Sequence, residues 1–309
     1  MAKRRQTVSY LTRRFREVGL RPNKRHGQNF LIDLNLVELL ADAAEISPLD
    51  VVLEIGTGTG SLAGLLAERA AHLITVEIDR HLFQLAREEL EAFDNITFLH
   101  QDVLRNKNHF AANVLQTISD VMEQCDGPVF KLVANLPYNI ATPVISNLLR
   151  CSLVPASMTV TIQKELADRL LAAPNSKDYG ALSVWVQALC DVKLIRVLPP
   201  TVFWPQPRVD SAIVSVVHRA DRRATLPDVE FFHSFVRKIF FHRRKFLRSV
   251  ALSAFKDLLE KADVDQVLSD HALGAETRTE QLPVDQLKAL CESFRQRLLS
   301  VGKTGDFMT

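Results

Sequence analysis

The chain has 309 residues, 47% hydrophobic and 24% charged, which allows one large and one smaller domain and excludes a mainly disordered chain. No apolar run reaches the ~18 residues of a membrane span, so no membrane partner is expected. The formal net charge is only +2, yet residues 1–25 hold nine Lys/Arg against Glu17 alone, a net +8 that leaves −6 on the rest.

A basic arm on a mildly acidic body suits a polyanionic partner, a solvated tail or an Arg-rich mitochondrial transit peptide. Val8, Leu11, Phe15 and Val18 recur at helical spacing, as in an amphipathic helix docked on the body. Cys125, Cys151, Cys190 and Cys291 lie far apart, without metal-ligand spacing. Reduced thiols, no metal and a cytoplasmic location are the expectation.

From residue 50 onward, short apolar runs alternate with helical patterns, which predicts a parallel sheet with crossover helices. Val51–Ile55 reads as the first strand, followed by a glycine turn and a helix to about Ala70. Leu73–Val76 and Ile96–Leu99 read as the second and third strands, with a helix from about His81 to Ala92 between them. Residues 105–128 read as an irregular stretch with a helix. Val129–Ala134 is the fourth strand, running into Asn135-Leu136-Pro137-Tyr138. Ser157–Ile162 and Val192–Val197 read as further strands, separated by helical material around Lys164–Ala172 and Ala181–Cys190. Ile213–Val217 is expected to close the sheet. Charge, Ala and Pro at Arg219–Pro227 read as a linker, and only helical patterns follow. The boundaries so drawn are a basic extension 1–26, a catalytic domain 27–221 and a helical domain 222–309.

The turn Glu54-Ile55-Gly56-Thr57-Gly58-Thr59-Gly60 sits where the first strand meets the first helix, where glycine lets backbone approach a nucleotide-like ligand. Gly58, Gly60 and Ala63 also fit the dinucleotide pattern, so a nicotinamide site competes at this point. Glu77, ending the second strand, can accept both hydroxyls of a ribose. Asp102, after the third strand, can take an adenine amino group, and seen alone it also reads as a turn residue. Three such contacts at successive strand ends favour an adenosine ligand.

Asn135-Leu136-Pro137-Tyr138 points to a specific chemistry. Methylating adenine N6 is hindered because the amino lone pair is delocalised into the ring. The Asn135 side-chain oxygen and the Leu136 carbonyl, held in a fixed turn by Pro137, can accept both N–H groups and favour a pyramidal nitrogen. Tyr138 offers a face on which an extruded base can stack. No strong base is needed, because the nitrogen turns acidic only as it is alkylated. A plain strand exit would explain Asn and Pro, but not the aromatic beside them. Nothing after the third strand supplies a hydride-transfer acid or base, which weighs against nicotinamide.

These motifs together resemble the ribosomal small-subunit RNA adenine N6,N6-dimethyltransferase family. The likeness extends through Gly27-Gln28-Asn29-Phe30-Leu31, Asn139-Ile140-Ala141-Thr142-Pro143, Gln163-Lys164-Glu165, Tyr179–Val184, Phe203-Trp204-Pro205 and Arg243–Arg248, covering roughly residues 24–300. It implies an α/β, Rossmann-like class I methyltransferase sheet with a smaller C-terminal all-helical domain. It implies S-adenosylmethionine as cofactor and rRNA of the small subunit as partner, in a protein acting as a monomer in ribosome biogenesis. It implies that Asn29, Leu31, Gly56, Gly58, Glu77, Asp102 and Asn135 hold the cofactor. Asn135, Leu136, Pro137 and Tyr138 would form the catalytic turn, with Phe203 packing on the other face of the base.

Three features depart from the family pattern: the length of residues 105–128, Phe246 at a position expected to be small and polar, and the basic extension 1–23. Arg237, Lys238, Arg243, Arg244, Lys245 and Arg248 form an acid-free run that suits RNA phosphates or a solvated helix face. Two alternatives stay open: a large-subunit rRNA methyltransferase of the antibiotic-resistance branch, and a ribosome-assembly or transcription binding factor on the same fold.

Overall fold

The computed structural model describes residues 13–15, 28–242 and 244–308. The chain divides into two compact units, one comprising Met1–Ala167 with Val192–His218, the other Asp168–Asp191 with Arg219–Thr309.

The first unit carries most of a seven-stranded sheet. Numbered in chain order, its strands are β2 (Asp50–Ile55), β3 (His72–Glu77), β4 (Ile96–His100), β7 (Val129–Asn135), β8 (Ser157–Gln163), β9 (Cys190–Leu198) and β11 (Ser211–His218). Two small ribbons supply the rest: β1 (Phe30–Leu31) with β10 (Phe203–Trp204), and β5 (Leu104–Asn106) with β6 (His109–Phe110). The sheet order is β4-β3-β2-β7-β8-β11-β9. Strands β4, β3, β2, β7 and β8 run parallel, and β11 is antiparallel to β8. Every residue of β2 is buried, as expected for a central strand covered on both faces.

The alternation of apolar runs predicted these elements to within a few residues, with instructive differences. Ile213–Val217 does not close the sheet: β11 lies inside it, and β9 is the edge. Residues 105–128 resolve into the β5–β6 hairpin and a helix Ala112–Gln124, which buries Val114, Ile118 and Val121. The linker at 219–227 contains a short helix, Ala220–Ala224. Helices Leu34–Asp42, Ala141–Leu148 and Lys261–Asp270 were not read from the pattern. Of the N-terminal helix, residues 13–15 are helical and Phe15 is buried, while Val8, Leu11 and Val18 lie outside the described residues.

The second unit is helical, but it does not begin at residue 222. It takes in Asp168–Asp191, whose apolar side chains pack against the C-terminal helices. Tyr179 is fully buried and donates its hydroxyl to the Leu282 carbonyl at 2.9 Å. Trp185 packs its ring against His233 at 4.8 Å and Phe232 at 6.2 Å. Deeper in the unit, Phe255 stacks on Phe294 at 4.2 Å and on Phe307 at 4.7 Å, an aromatic column joining three helices. No helix among the described residues is long and apolar enough to cross a membrane.

Candidate active site

In an open α/β sheet a ligand crevice forms where the strand order reverses. Here that point lies between β2 and β7, which run parallel as neighbours while the chain travels outward through β3 and β4 between them. An open cleft occupies this place, lined by residues of the strand ends and of the N-terminal segment.

The floor of the cleft is the glycine turn. Gly56 and Gly58 both have positive φ, at 85° and 58°, which an L side chain adopts only under strain. A Cβ on Gly56 would stand 3.4 Å from Pro137, and one on Gly58 would stand 3.3 Å from the Phe30 ring. The two turns and the N-terminal segment therefore close on one another at positions that only glycine fits well.

Two buried carboxyls stiffen this floor. Glu77 accepts the Gly58 N–H at 3.0 Å on one oxygen and the Asp79 N–H at 2.9 Å on the other. The lone pairs that these donors leave open are the acceptors that a vicinal diol requires. Burial raises the Glu77 pKa, against the lowering effect of these N–H donors. Behind it, Glu54 accepts the Thr75 hydroxyl at 2.6 Å, and Thr75 meets the Thr57 hydroxyl at 2.6 Å. Burial pushes Glu54 up to about 8, and no cation among the described residues offsets it. Asp79 caps the Arg80–Glu89 helix instead of facing the ligand, accepting from His81 and Leu82. Asp102 borders the cleft while one of its oxygens accepts the Leu104 N–H at 2.9 Å.

The wall is the turn after β7. The Asn135 amide nitrogen donates to the Asn29 carbonyl at 2.9 Å, which fixes which end of the amide is the acceptor. Its Oδ1 is buried without a hydrogen-bond partner among the described residues, although Asn135 lines the cleft. An unpaired buried carbonyl oxygen costs stability, and such groups concentrate where a ligand donor completes them. The turn is rigid, because Leu136 N–H donates to Thr161 O and Ile140 N–H to Pro137 O, both at 3.1 Å. The Tyr138 ring borders the cleft, and its hydroxyl is tied to Ser211 at the start of β11. Burial raises the Tyr138 pKa, so the phenol stays protonated and neutral.

Asn29, Gly56, Gly58, Glu77, Asp102, Asn135, Leu136, Pro137 and Tyr138 thus border one cleft. Others in the expected set stand elsewhere. The Leu31 side chain is buried in the core with Leu36, Val37 and Leu40, not in the cleft. Phe203, expected on a face of the target base, is 2% exposed in that same core. The cause is the β1–β10 pairing, Leu31 opposite Phe203, which points both inward, while Phe30 opposite Trp204 reaches the cleft side.

Among the basic residues, Lys238 donates to the Phe307 carbonyl and lies 4.2 Å over the Phe307 ring, with burial lowering its pKa. Arg248 is held bidentate by Asp265 at 2.6 and 2.9 Å. Neither is a free phosphate contact. Arg237, Arg244 and Lys245 are exposed, and Arg243 lies outside the described residues.

Phe30, Ile78 and Gln101 also line the cleft, and the sequence reading missed them as site residues. Ile78 is 45% exposed directly after Glu77, an apolar residue where a strand end normally turns polar. That anomaly was a usable signal for a wall against a flat ring.

A seven-stranded sheet in this order, with a glycine turn, a strand-tip acid and a cleft at the switch point, defines a class I methyltransferase. A sequence model of the family described as ribosomal RNA adenine dimethylase matches residues 19–296. The "Ribosomal RNA small subunit methyltransferase A" of Bacillus licheniformis is 36% identical over 282 residues, 91% of this chain and 94% of that protein. The protein of the same name from Pediococcus pentosaceus is 41% identical over 268 residues, 86% of this chain and 87% of that one. A dimethyladenosine transferase from Plasmodium falciparum superposes with a TM-score of 0.69 at 24% identity, over 85% of this chain and 96% of that chain. The 23S rRNA methyltransferase ErmE superposes with a TM-score of 0.60 at 25% identity, over 85% and 98%. The chain belongs to the ribosomal RNA adenine dimethylase family.

Proposed function

We propose that this chain transfers methyl groups from S-adenosylmethionine to N6 of adjacent adenines near the 3′ end of small-subunit rRNA, as a step in ribosome biogenesis. The observation that carries this is the Asn135 Oδ1, a buried acceptor without a partner among the described residues, fixed in orientation by Asn29 at the wall of the cleft. The small-subunit assignment follows the printed names of relatives that this chain matches over most of their length.

The cofactor, when bound, supplies an electrophilic methyl carbon on a sulfonium. The residues at hand fit it: Glu77 would hold the ribose, Asp102 and Ile78 the adenine, and Gly56 and Gly58 let backbone approach the rest. For the substrate, Asn135 Oδ1 and the Leu136 carbonyl accept the two N–H groups of the target amine. That favours a pyramidal nitrogen and stabilises the positive charge that grows on it. Tyr138, immobilised through Ser211, provides the stacking plane. Neutral acceptors suffice because the nitrogen sheds its proton only after it has become acidic. All these groups come from one chain, consistent with a monomer.

Mass spectrometry of rRNA from a strain lacking the gene tests the reading. Dimethyladenine should be missing from the small subunit and restored by the wild-type chain. Its persistence there, or loss from the large subunit instead, would contradict the assignment.

A further inference from the structure

Phe241 is the most exposed large apolar side chain among the described residues, at 78%. It stands just past Phe240, the C-cap of the Val229–Ile239 helix, and its backbone is held, with its N–H on the Lys238 carbonyl. The Lys245 N–H donates to the His242 carbonyl at 3.0 Å, closing the next turn. The neighbouring aromatics have partners. Phe240 meets Tyr179 edge-on at 6.1 Å, and Phe246 lies under the Arg278 guanidinium at 5.4 Å. Among the described residues Phe241 meets only the His242 ring, at 4.8 Å and nearly perpendicular, and most of its surface faces solvent.

The cations nearby in sequence are also unusual. Arg219, Arg222, Arg248, Arg295 and Arg297 are each ion-paired with an acid. Arg237, Arg244 and Lys245 are exposed and have no acid partner among the described residues. One short stretch therefore keeps both an unburied ring and unneutralised charge. A simple anion would use the charges and leave the ring idle. An apolar protein surface would use the ring and have to desolvate the charges. Double-helical RNA hides its base faces within the stack. An unpaired nucleotide supplies both complements, a π-face for the ring and phosphates for the cations.

We infer that Phe241 is a base-stacking residue: it receives one unpaired nucleotide of the RNA substrate while Arg237, Arg244 and Lys245 engage the flanking phosphates. The inference rests on the rRNA reading above, and it adds a recognition point on the helical unit.

The test is filter binding of the full chain to small ribosomal subunits lacking the modification, across a salt series. Phe241→Ala should weaken binding roughly tenfold with an unchanged slope of affinity against salt. Phe241→Trp should restore affinity to within about twofold, because it keeps the π-face. Lys245→Ala should instead lower the salt slope by about one. Binding by Phe241→Ala at the wild-type level would overturn the inference. So would full binding by Phe241→Leu, which keeps apolar area and loses the ring. If the wild-type chain neither binds nor methylates these subunits, the rRNA reading itself falls.

Discussion

The strand-end cleft and the helical unit are built on opposite terms. The cleft gathers groups that folding alone would avoid: an unpaired amide oxygen, two buried carboxyls without cations and glycines with positive φ. The helical unit is largely self-satisfied, with an aromatic column inside and several of its arginines matched by acids outside. Stability is concentrated in one region and tension in the other, as expected when a ligand site is preorganised at a cost that packing elsewhere offsets.

That contrast can be broken most forcefully in the column. Phe255→Ala removes a ring stacked on both Phe294 and Phe307 and should cost about 3–5 kcal/mol, read as a fall in Tm. Cofactor affinity of the fraction still folded should not change.

The buried acid behind the glycine turn comes next. Because the Glu54 pKa is raised on folding, its neutral form is the one the fold favours. Stability should be highest below the ordinary value of 4.5 and decline as pH rises through about 8. Glu54→Gln should remove this decline, on the order of a few kcal/mol, and make the variant more stable than wild type above pH 8. Thermal melts across pH decide it, and parallel curves for the two proteins would refute it.

A smaller effect is expected at the ribose acid. Glu77→Gln places an NH2 group against either the Gly58 or the Asp79 N–H and should weaken cofactor binding roughly thirtyfold by calorimetry. The smallest contrast lies among the surface arginines. Arg248→Ala should leave the salt dependence of RNA binding unchanged, because Asp265 already neutralises that cation. Arg244→Ala should reduce the slope by about one.

The sheet and cleft were legible where the information is local. Glu77 and Asn135 sit at ends of apolar runs, and the period of those runs places them at the carboxyl edge of the sheet. What stayed hidden depends on partners distant in sequence. Leu31 and Phe203 turn inward only because two two-residue strands pair across more than half the chain. Lys238 and Arg248 look like free cations until Phe307 and Asp265 are brought beside them. The segment 168–191 reads as part of the sheet domain by position. Burial of Tyr179 and Trp185 among residues 232–282 assigns it to the helical unit.

The most direct measurement is single-turnover methyl transfer from labelled cofactor to unmodified small subunits, comparing wild type with Asn135→Ala. The rate should fall roughly 10²–10³-fold while cofactor affinity stays within about threefold, since the lost oxygen serves the amine. A variant that transfers methyl groups as fast as wild type would show that the unpaired oxygen at the end of β7 has no part in the reaction.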